Sequence, residues 1–176
     1  MPQIAVRPAR LADVNSVAAV HHASAVVAFV DIFPPASVPP TAESLLPGWR
    51  ILVEGLTSKV FVAEVDDVVV GVAAVAADSS LPAGLALSRL YVHPDRWGQR
   101  VGATLHDVAM GLARSLGAGA INLWVLEANI RARSMYESRG WALMPGHVLK
   151  NDPPEVVDVL YQFDLTTSGL AKHGVG

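Results

Sequence analysis

Val68 to Ala77, VVVGVAAVAA, restricts the fold more than any other segment, because it holds no charged side chain and no polar face. A strand that is apolar on both sides belongs inside a sheet with both faces covered. Lys59 to Val65 reads as its hairpin partner, with Asp66-Asp67 as a two-residue turn between them.

The covering elements follow from spacing. Ile4 to Val6 reads as a short first strand, closed by Arg7-Pro8. Asp13 is placed to cap a helix in which Val14, Val17, Val20 and His21 recur at helical intervals. Phe33 to Pro40 holds four prolines and reads as a loop. Thr41, Ser44 and Leu45 open a second helix that runs to Glu54. After a loop from Asp78 to Gly84, Leu85 to Val92 is a strand ended by His93-Pro94. Val101 to Leu116 is a helix with Val101, Leu105, Val108, Leu112 and Leu116 as its apolar stripe, and Gly117 stops it. Ala120 to Leu126 is a strand, Asn129 to Ser138 a helix ending near Gly140, and Val156 to Leu165 a final alternating strand. The pattern is α/β with a mixed sheet flanked by helices. It predicts one domain over 1–165 and a flexible tail over 166–176.

Composition narrows the chemistry. The chain of 176 residues has no cysteine, which excludes disulfides, thiolate metal sites and a cysteine nucleophile. Its six histidines show no metal-ligand spacing, so no metal is expected. A net charge of -3 with no run of Lys and Arg gives no nucleic-acid surface. No secretion signal and no apolar run of spanning length is present, so a cytoplasmic protein without membrane partners is expected.

Two segments carry chemistry. In the first, the strand Leu90-Tyr91-Val92 leads through His93-Pro94-Asp95-Arg96-Trp97-Gly98-Gln99-Arg100 into the helix starting Val101-Gly102-Ala103. A helix N-terminus offers unpaired N–H groups and the positive end of its dipole, and anions bind there when side chains do not cover the backbone. Gly98 and Gly102 leave it bare, while Arg96 and Arg100 add charge. Arg100, at the start of the helix, is expected at negative φ. A tight turn with close packing is the plain alternative. In the second segment, a buried strand passes through Asn129 into a helix, and Tyr136 follows two turns later on the same face. Asn129 reads as a helix cap or a ligand contact. Tyr136 reads as a core aromatic or a proton donor.

Together the two segments resemble the GCN5-related N-acetyltransferase (GNAT) superfamily. Its pattern has a hydrophobic-Tyr-Val-x-Pro strand end, an Arg/Gln-x-x-Gly-x-Gly/Ala loop, and an Asn-x-x-Ala-x-x-x-Tyr-x-x-x-Gly-Phe/Trp segment. The last is met by Asn129, Ala132, Tyr136, Gly140 and Trp141. The loop departs from it twice, with Trp97 where Arg or Gln is usual and Arg100 where the first glycine is usual. The resemblance implies a mostly antiparallel sheet in the acyl-CoA N-acyltransferase fold. It implies acetyl-coenzyme A as co-substrate, with Leu90, Tyr91 and Val92 offering backbone groups to the pantetheine arm. Gly98, Gln99, Arg100, Val101, Gly102 and Ala103 would cradle the pyrophosphate. Asn129 would contact the coenzyme or fix the strand splay that admits it, and Tyr136 would protonate the leaving thiolate.

The reaction implied is acetyl transfer to a primary amine, of a small molecule or a protein, by direct attack. The competing readings are a coenzyme A-binding or metabolite-binding module without catalysis, and an acyltransferase using another acyl-CoA. The strand before the loop, Leu85-Ala86-Leu87-Ser88-Arg89-Leu90, has no carboxylate to serve as base. His21 and His22, on the first helix, are alternatives to a base acting through water. The acceptor side of the family is built from the first two helices, where Phe29, Phe33, Trp49, Asp31 and Glu43 lie. A monomer or homodimer is expected.

Overall fold

A computed structural model of the chain describes residues 3–166. Apart from Thr166 itself, the expected tail lies outside the described residues. The elements are β1 (Ala5–Pro8), α1 (Val14–Ala28), α2 (Ala42–Glu54), β2 (Ser58–Val65), β3 (Val68–Ala77), β4 (Leu85–Val92), α3 (Val101–Ser115), β5 (Ala120–Leu126), α4 (Ile130–Ser138), β6 (Ala142–Lys150) and β7 (Val157–Asp164). The strands form a seven-stranded sheet in the order β1-β2-β3-β4-β5-β7-β6. β4 and β5 run parallel, with Ala86 opposite Asn122. The β1–β2, β2–β3, β5–β7 and β6–β7 pairs are antiparallel. The fold is therefore α/β with a mixed sheet, as the sequence pattern implies, and the sheet is mostly antiparallel, as the family resemblance implies.

Contacts group the chain into two compact units, Met1–Ala77 with Leu87–Ala109, and Asp78–Ala86 with Met110–Gly176. In the first unit β3 is central and buried on both faces. On one side Val72 and Ala74 pack with Val14, Val17, Ala18 and Val20 of α1, Trp49 of α2, and Val60 and Val62 of β2. On the other side Gly71 lets α3 approach. A Cβ at Gly71 would lie 2.8 Å from Leu105 Cδ1 and 2.9 Å from Val101 Cγ1, which is why a glycine interrupts the valine run. Asp66 and Asp67 have φ of 51° and 61°, the doubly left-handed backbone of a tight hairpin.

Two expectations for the N-terminal region change. β1 continues through Arg7 and Pro8, which sit opposite Val62 and Phe61. Proline is tolerated there because β1 is an edge strand. Asp13 does not cap α1 with its side chain. Its carboxylate instead accepts both guanidinium arms of Arg7, at 2.7 and 2.9 Å, and the Arg10 N–H at 2.7 Å. That closes the short 3-10 turn ahead of the helix. The Arg7 guanidinium holds the Asp13 carboxyl below the usual carboxylate range.

In the second unit β5 is almost wholly apolar except for Asn122, which is fully buried. Its Oδ1 accepts the Ala83 N–H at 2.8 Å and its Nδ2 donates to the Tyr161 carbonyl at 3.2 Å. A buried amide is tolerated when both ends are bonded in this way. β6, a strand for which the sequence gives no range, is the other edge. Most of its residues are exposed, and its register against β7 shifts between Leu143 and Val148. The expected stripe of α3 is also corrected. The buried residues are Val101, Leu105, His106, Ala109, Met110 and Ala113, while Val108 and Leu112 are half-buried and Leu116 is exposed beyond the helix end.

Candidate functional site

Leu90, Tyr91, Val92, Gly98, Gln99, Arg100, Val101, Gly102 and Ala103 fall in the first unit, and Asn129 and Tyr136 in the second. At the end of β4, successive side chains face opposite ways, as strand geometry requires. A Cβ added to Gly102 of α3 would lie 3.5 Å from Val92 Cγ2. The Tyr91 ring is stacked on His21 of α1, with centroids 3.8 Å apart.

The segment between β4 and α3 is tied down by its own side chains. Trp97 donates its indole N–H to the Val92 carbonyl at 2.8 Å. The residue that departs from the family pattern thus staples the loop to the strand end. Gln99 Nε2 donates to the Asp95 carbonyl at 2.9 Å. Gly98 has φ of 76°, the left-handed region that glycine enters without steric penalty.

Arg100 is not at negative φ, contrary to the sequence expectation; its φ is 68°. The chain enters α3 through this one left-handed residue. The Arg100 carbonyl then accepts the Thr104 N–H at 2.9 Å and the Thr104 hydroxyl at 3.1 Å. A non-glycine side chain in this conformation costs about 1–2 kcal/mol. The glycine usual at this position in the family pattern removes that cost.

Val101, nearly fully buried, anchors the helix start, while Gly102 and Ala103 are half-exposed. The N–H groups of this first turn have no intrahelical acceptor. Gly102 has no positive φ, and an added Cβ would meet only Val92 Cγ2 at an ordinary contact distance. Packing does not demand a glycine there. Its bareness leaves the first-turn N–H groups uncovered, which fits an anion such as a pyrophosphate.

The two histidines of α1 differ. His21 is buried, and its Nδ1 accepts the Trp49 indole N–H at 3.2 Å. An indole nitrogen only donates, so the neutral ring carries its proton on Nε2. Burial, followed by the charges of Arg89 and His22, pushes the His21 pKa down to about 4. A ring of that basicity is a poor proton acceptor at pH 7. His22 Nδ1 lies 2.7 Å from the Pro40 carbonyl. A carbonyl only accepts, so Nδ1 holds the proton and Nε2 of the neutral ring keeps its lone pair.

Trp49, a candidate for an acceptor pocket, is core instead, packed edge-on to His21 and Tyr91. Phe29 and Phe33 lie 6.1 Å apart between ring centres beyond the end of α1, and Asp31 and Glu43 are exposed.

In the second unit Asn129 is the N-cap of α4, its Oδ1 accepting the Ala132 N–H at 3.1 Å. Tyr136 is buried, with its ring 5.7 Å from Trp141, which in turn lies 5.5 Å from Phe163. Gly140, at φ of 92°, ends the helix and would bring a Cβ within 3.4 Å of Phe163. Sequence reading missed how α4 is held on β7. Arg133 Nε donates to the Tyr161 hydroxyl at 2.9 Å, and that hydroxyl donates to Glu137. The only local sign was two charges four apart on a helix, a pattern shared by many solvated helix faces.

A sequence profile described as the Acetyltransferase (GNAT) family matches residues 25–141, more than half of the chain. The chain belongs to this family. It is an N-acetyltransferase. Solved structures share its fold at low identity. A GCN5-related N-acetyltransferase from Rhodopseudomonas palustris superposes with a TM-score of 0.75 at 22% identity, covering 93% of this chain and 97% of that one. The PaiA N-acetyltransferase of Thermoplasma acidophilum, in complex with coenzyme A, gives 0.70 at 18% identity over 92% and 99%. The acetyltransferase YncA of Salmonella typhimurium, with its cofactor acetyl-CoA, gives 0.70 at 17% identity over 99% and 98%. No curated protein matches the chain in sequence. Among the described residues no cluster of His, Asp and Glu could hold a metal ion, and no helix is long and apolar enough to cross a membrane.

Proposed function

We propose that this acetyltransferase uses acetyl-coenzyme A as donor and passes the acetyl group directly to a primary amine, with the pyrophosphate held at the start of α3. The observation that carries the reading is the bare first turn of α3. Gly98 and Gly102 uncover it, and Arg96 and Arg100 flank it. The donor supplies an acetyl thioester, activated for attack by nitrogen.

The chain's own groups have three tasks. The N–H groups of Val101, Gly102 and Ala103 bind the diphosphate charge at the positive end of α3. The β4 backbone at Leu90 and Tyr91 aligns the reacting carbonyl and donates an N–H to the oxyanion that forms. Tyr136 gives a proton to the departing sulfur and regains one from water, which takes up the proton that the attacking nitrogen sheds, and Asn129 fixes the strand-to-helix corner from which α4 presents it. His21 does not act as base, since its Nδ1 is engaged by Trp49 and its ring is held neutral. His22 Nε2 is the histidine nitrogen of α1 left with a usable lone pair.

The test is thiol release from acetyl-coenzyme A with a panel of amines, beside calorimetric titration of the same coenzyme. Acetyl-coenzyme A binding with amine-dependent thiol release is expected. Binding without release for any amine would refute the catalytic reading. Release only with longer acyl chains would replace the donor.

A further inference from the structure

On β4 alternate residues look to opposite sides. Val92 meets Gly102 of α3, and Tyr91 meets His21 of α1. Under the reading above, the pyrophosphate end of the donor takes the α3 side of this strand. An attacking amine then reaches the thioester from the α1 side. Leu87, Arg89 and Tyr91 share that side by strand alternation, and Arg89 is the one that is exposed.

The Arg89 guanidinium stands where a nearby carboxylate would be the ordinary way to attract an ammonium. Its NH1 donates to the Ser88 carbonyl at 2.7 Å, and among the described residues no acidic side chain forms an ion pair with it. Its neighbours on α1 offer no negative charge either. His21 is buried and bonded to Trp49, and His22 is bonded to Pro40. Arg89 lies close enough to His21 for its charge to add, after burial, to the lowering of the His21 pKa.

We infer that Arg89 selects the acceptor, a small primary amine that also carries a carboxylate, and pairs with that carboxylate. The inference rests on the proposed direction of acetyl transfer. A guanidinium repels a bare ammonium or a polyamine, whereas it binds a carboxylate through two parallel N–H donors. The same positive charge favours the neutral form of a nearby amine, which is the form that attacks. That effect stands in for the carboxylate base that β4 lacks.

The test compares L-amino acids with their methyl esters and with the matching decarboxylated amines. Thiol release is measured for the wild type, Arg89→Gln, Arg89→Lys and Arg89→Glu. The wild type should favour the acid over its ester by about 10- to 100-fold in kcat/KM, the range of a charged hydrogen bond. Arg89→Gln should narrow that ratio to within about threefold, chiefly through KM, Arg89→Lys should restore part of it, and Arg89→Glu should reverse it. Equal rates on acids and esters in the wild type, or an unchanged ratio in Arg89→Gln, would overturn the inference and leave acetyl transfer intact. If no amine releases thiol, calorimetry of N-acetylleucine on the coenzyme A-bound protein decides. Binding that Arg89→Gln abolishes supports the anion site although the catalytic reading has failed; no binding by the wild type overturns both.

Discussion

Replacing Arg100 with glycine separates backbone strain from ligand chemistry at one position. Arg100 sits at φ of 68°, exposed, just before the first residue of α3. Relieving a left-handed non-glycine residue returns about 1–2 kcal/mol. The extra freedom that glycine gives the unfolded chain takes back about 0.4–1 kcal/mol. The guanidinium makes no hydrogen bond or ion pair among the described residues, so its loss subtracts little. Arg100→Gly should therefore be more stable by urea unfolding, by up to about 1.6 kcal/mol and by roughly 0.8 kcal/mol at the midpoints, and melt roughly 2–3 °C higher at those midpoints for a domain of this size. Arg100→Ala, which keeps the strain, should stay near the wild type. Equal stability of the alanine and glycine variants, or a glycine variant less stable than the wild type, would refute the strain argument. In calorimetry with acetyl-coenzyme A the order should invert. The glycine variant keeps the helix N-terminus but loses one cation, so it should bind about 3- to 10-fold more weakly at low salt, with the difference shrinking as salt rises. A wild type that fails to bind while Arg100→Gly binds would show instead that the side chain blocks the loop.

The remaining predictions are independent of that loop. His21 has a folded pKa of about 4 against 6.5 in the unfolded chain, so the unfolded state binds more protons between those values. Its contribution is present above pH 6.5 and is lost as pH falls toward about 4, by at most about 3 kcal/mol. His21→Asn keeps an acceptor for Trp49 but cannot titrate, and denaturation midpoints across that window should fall less steeply than in the wild type. Tyr136→Phe keeps the packing on Trp141 and should lower kcat by about 10- to 1000-fold with coenzyme affinity little changed; an unaltered kcat would make the hydroxyl idle. Asn129→Ala removes the cap on Ala132 and should destabilise by about 1 kcal/mol. It should weaken coenzyme binding by more than that loss explains, and normal affinity would reduce Asn129 to a cap.

The elements that sequence located well are those whose signal is local and double. β3 announces itself by an apolar run and by the Asp66-Asp67 turn ahead of it. α2 is marked by Thr41, whose hydroxyl accepts the Ser44 N–H at 3.1 Å. β6 had neither sign. An exposed edge strand needs no apolar alternation, and its stretch from Met144 to His147 holds Pro145 and Gly146. Periodicity alone also misplaced the stripe of α3. It selected the large residues Val108, Leu112 and Leu116, whereas the structure packs the small Ala109 and Ala113. Close approach favours small side chains, and a hydrophobicity pattern underweights them.

The same distinction between local and assembled signals divides the two sides of β4. The proposed donor side is contiguous in the chain: strand end, loop and helix start lie within residues 90–103, and a spacing can be read from them. Even there, a sequence does not print φ, and the negative φ expected of Arg100 was wrong because the left-handed step comes one residue before the helix begins. The other side, where the acceptor is proposed to enter, joins residues far apart in sequence: Arg89 and Tyr91 of β4 lie beside His21 of α1, which the buried Trp49 of α2 holds from behind. Each alone has a plain reading: a helix-face histidine, a core tryptophan, a surface arginine, a strand tyrosine. Only the fold brings them together, with the histidine neutralised by burial, the tryptophan buried in holding it, and the arginine exposed beside them as the charge that, on the proposed reading, an incoming amine meets. On the inference drawn for Arg89, acceptor choice follows from what the strand before the loop carries, and here that strand carries an exposed cation.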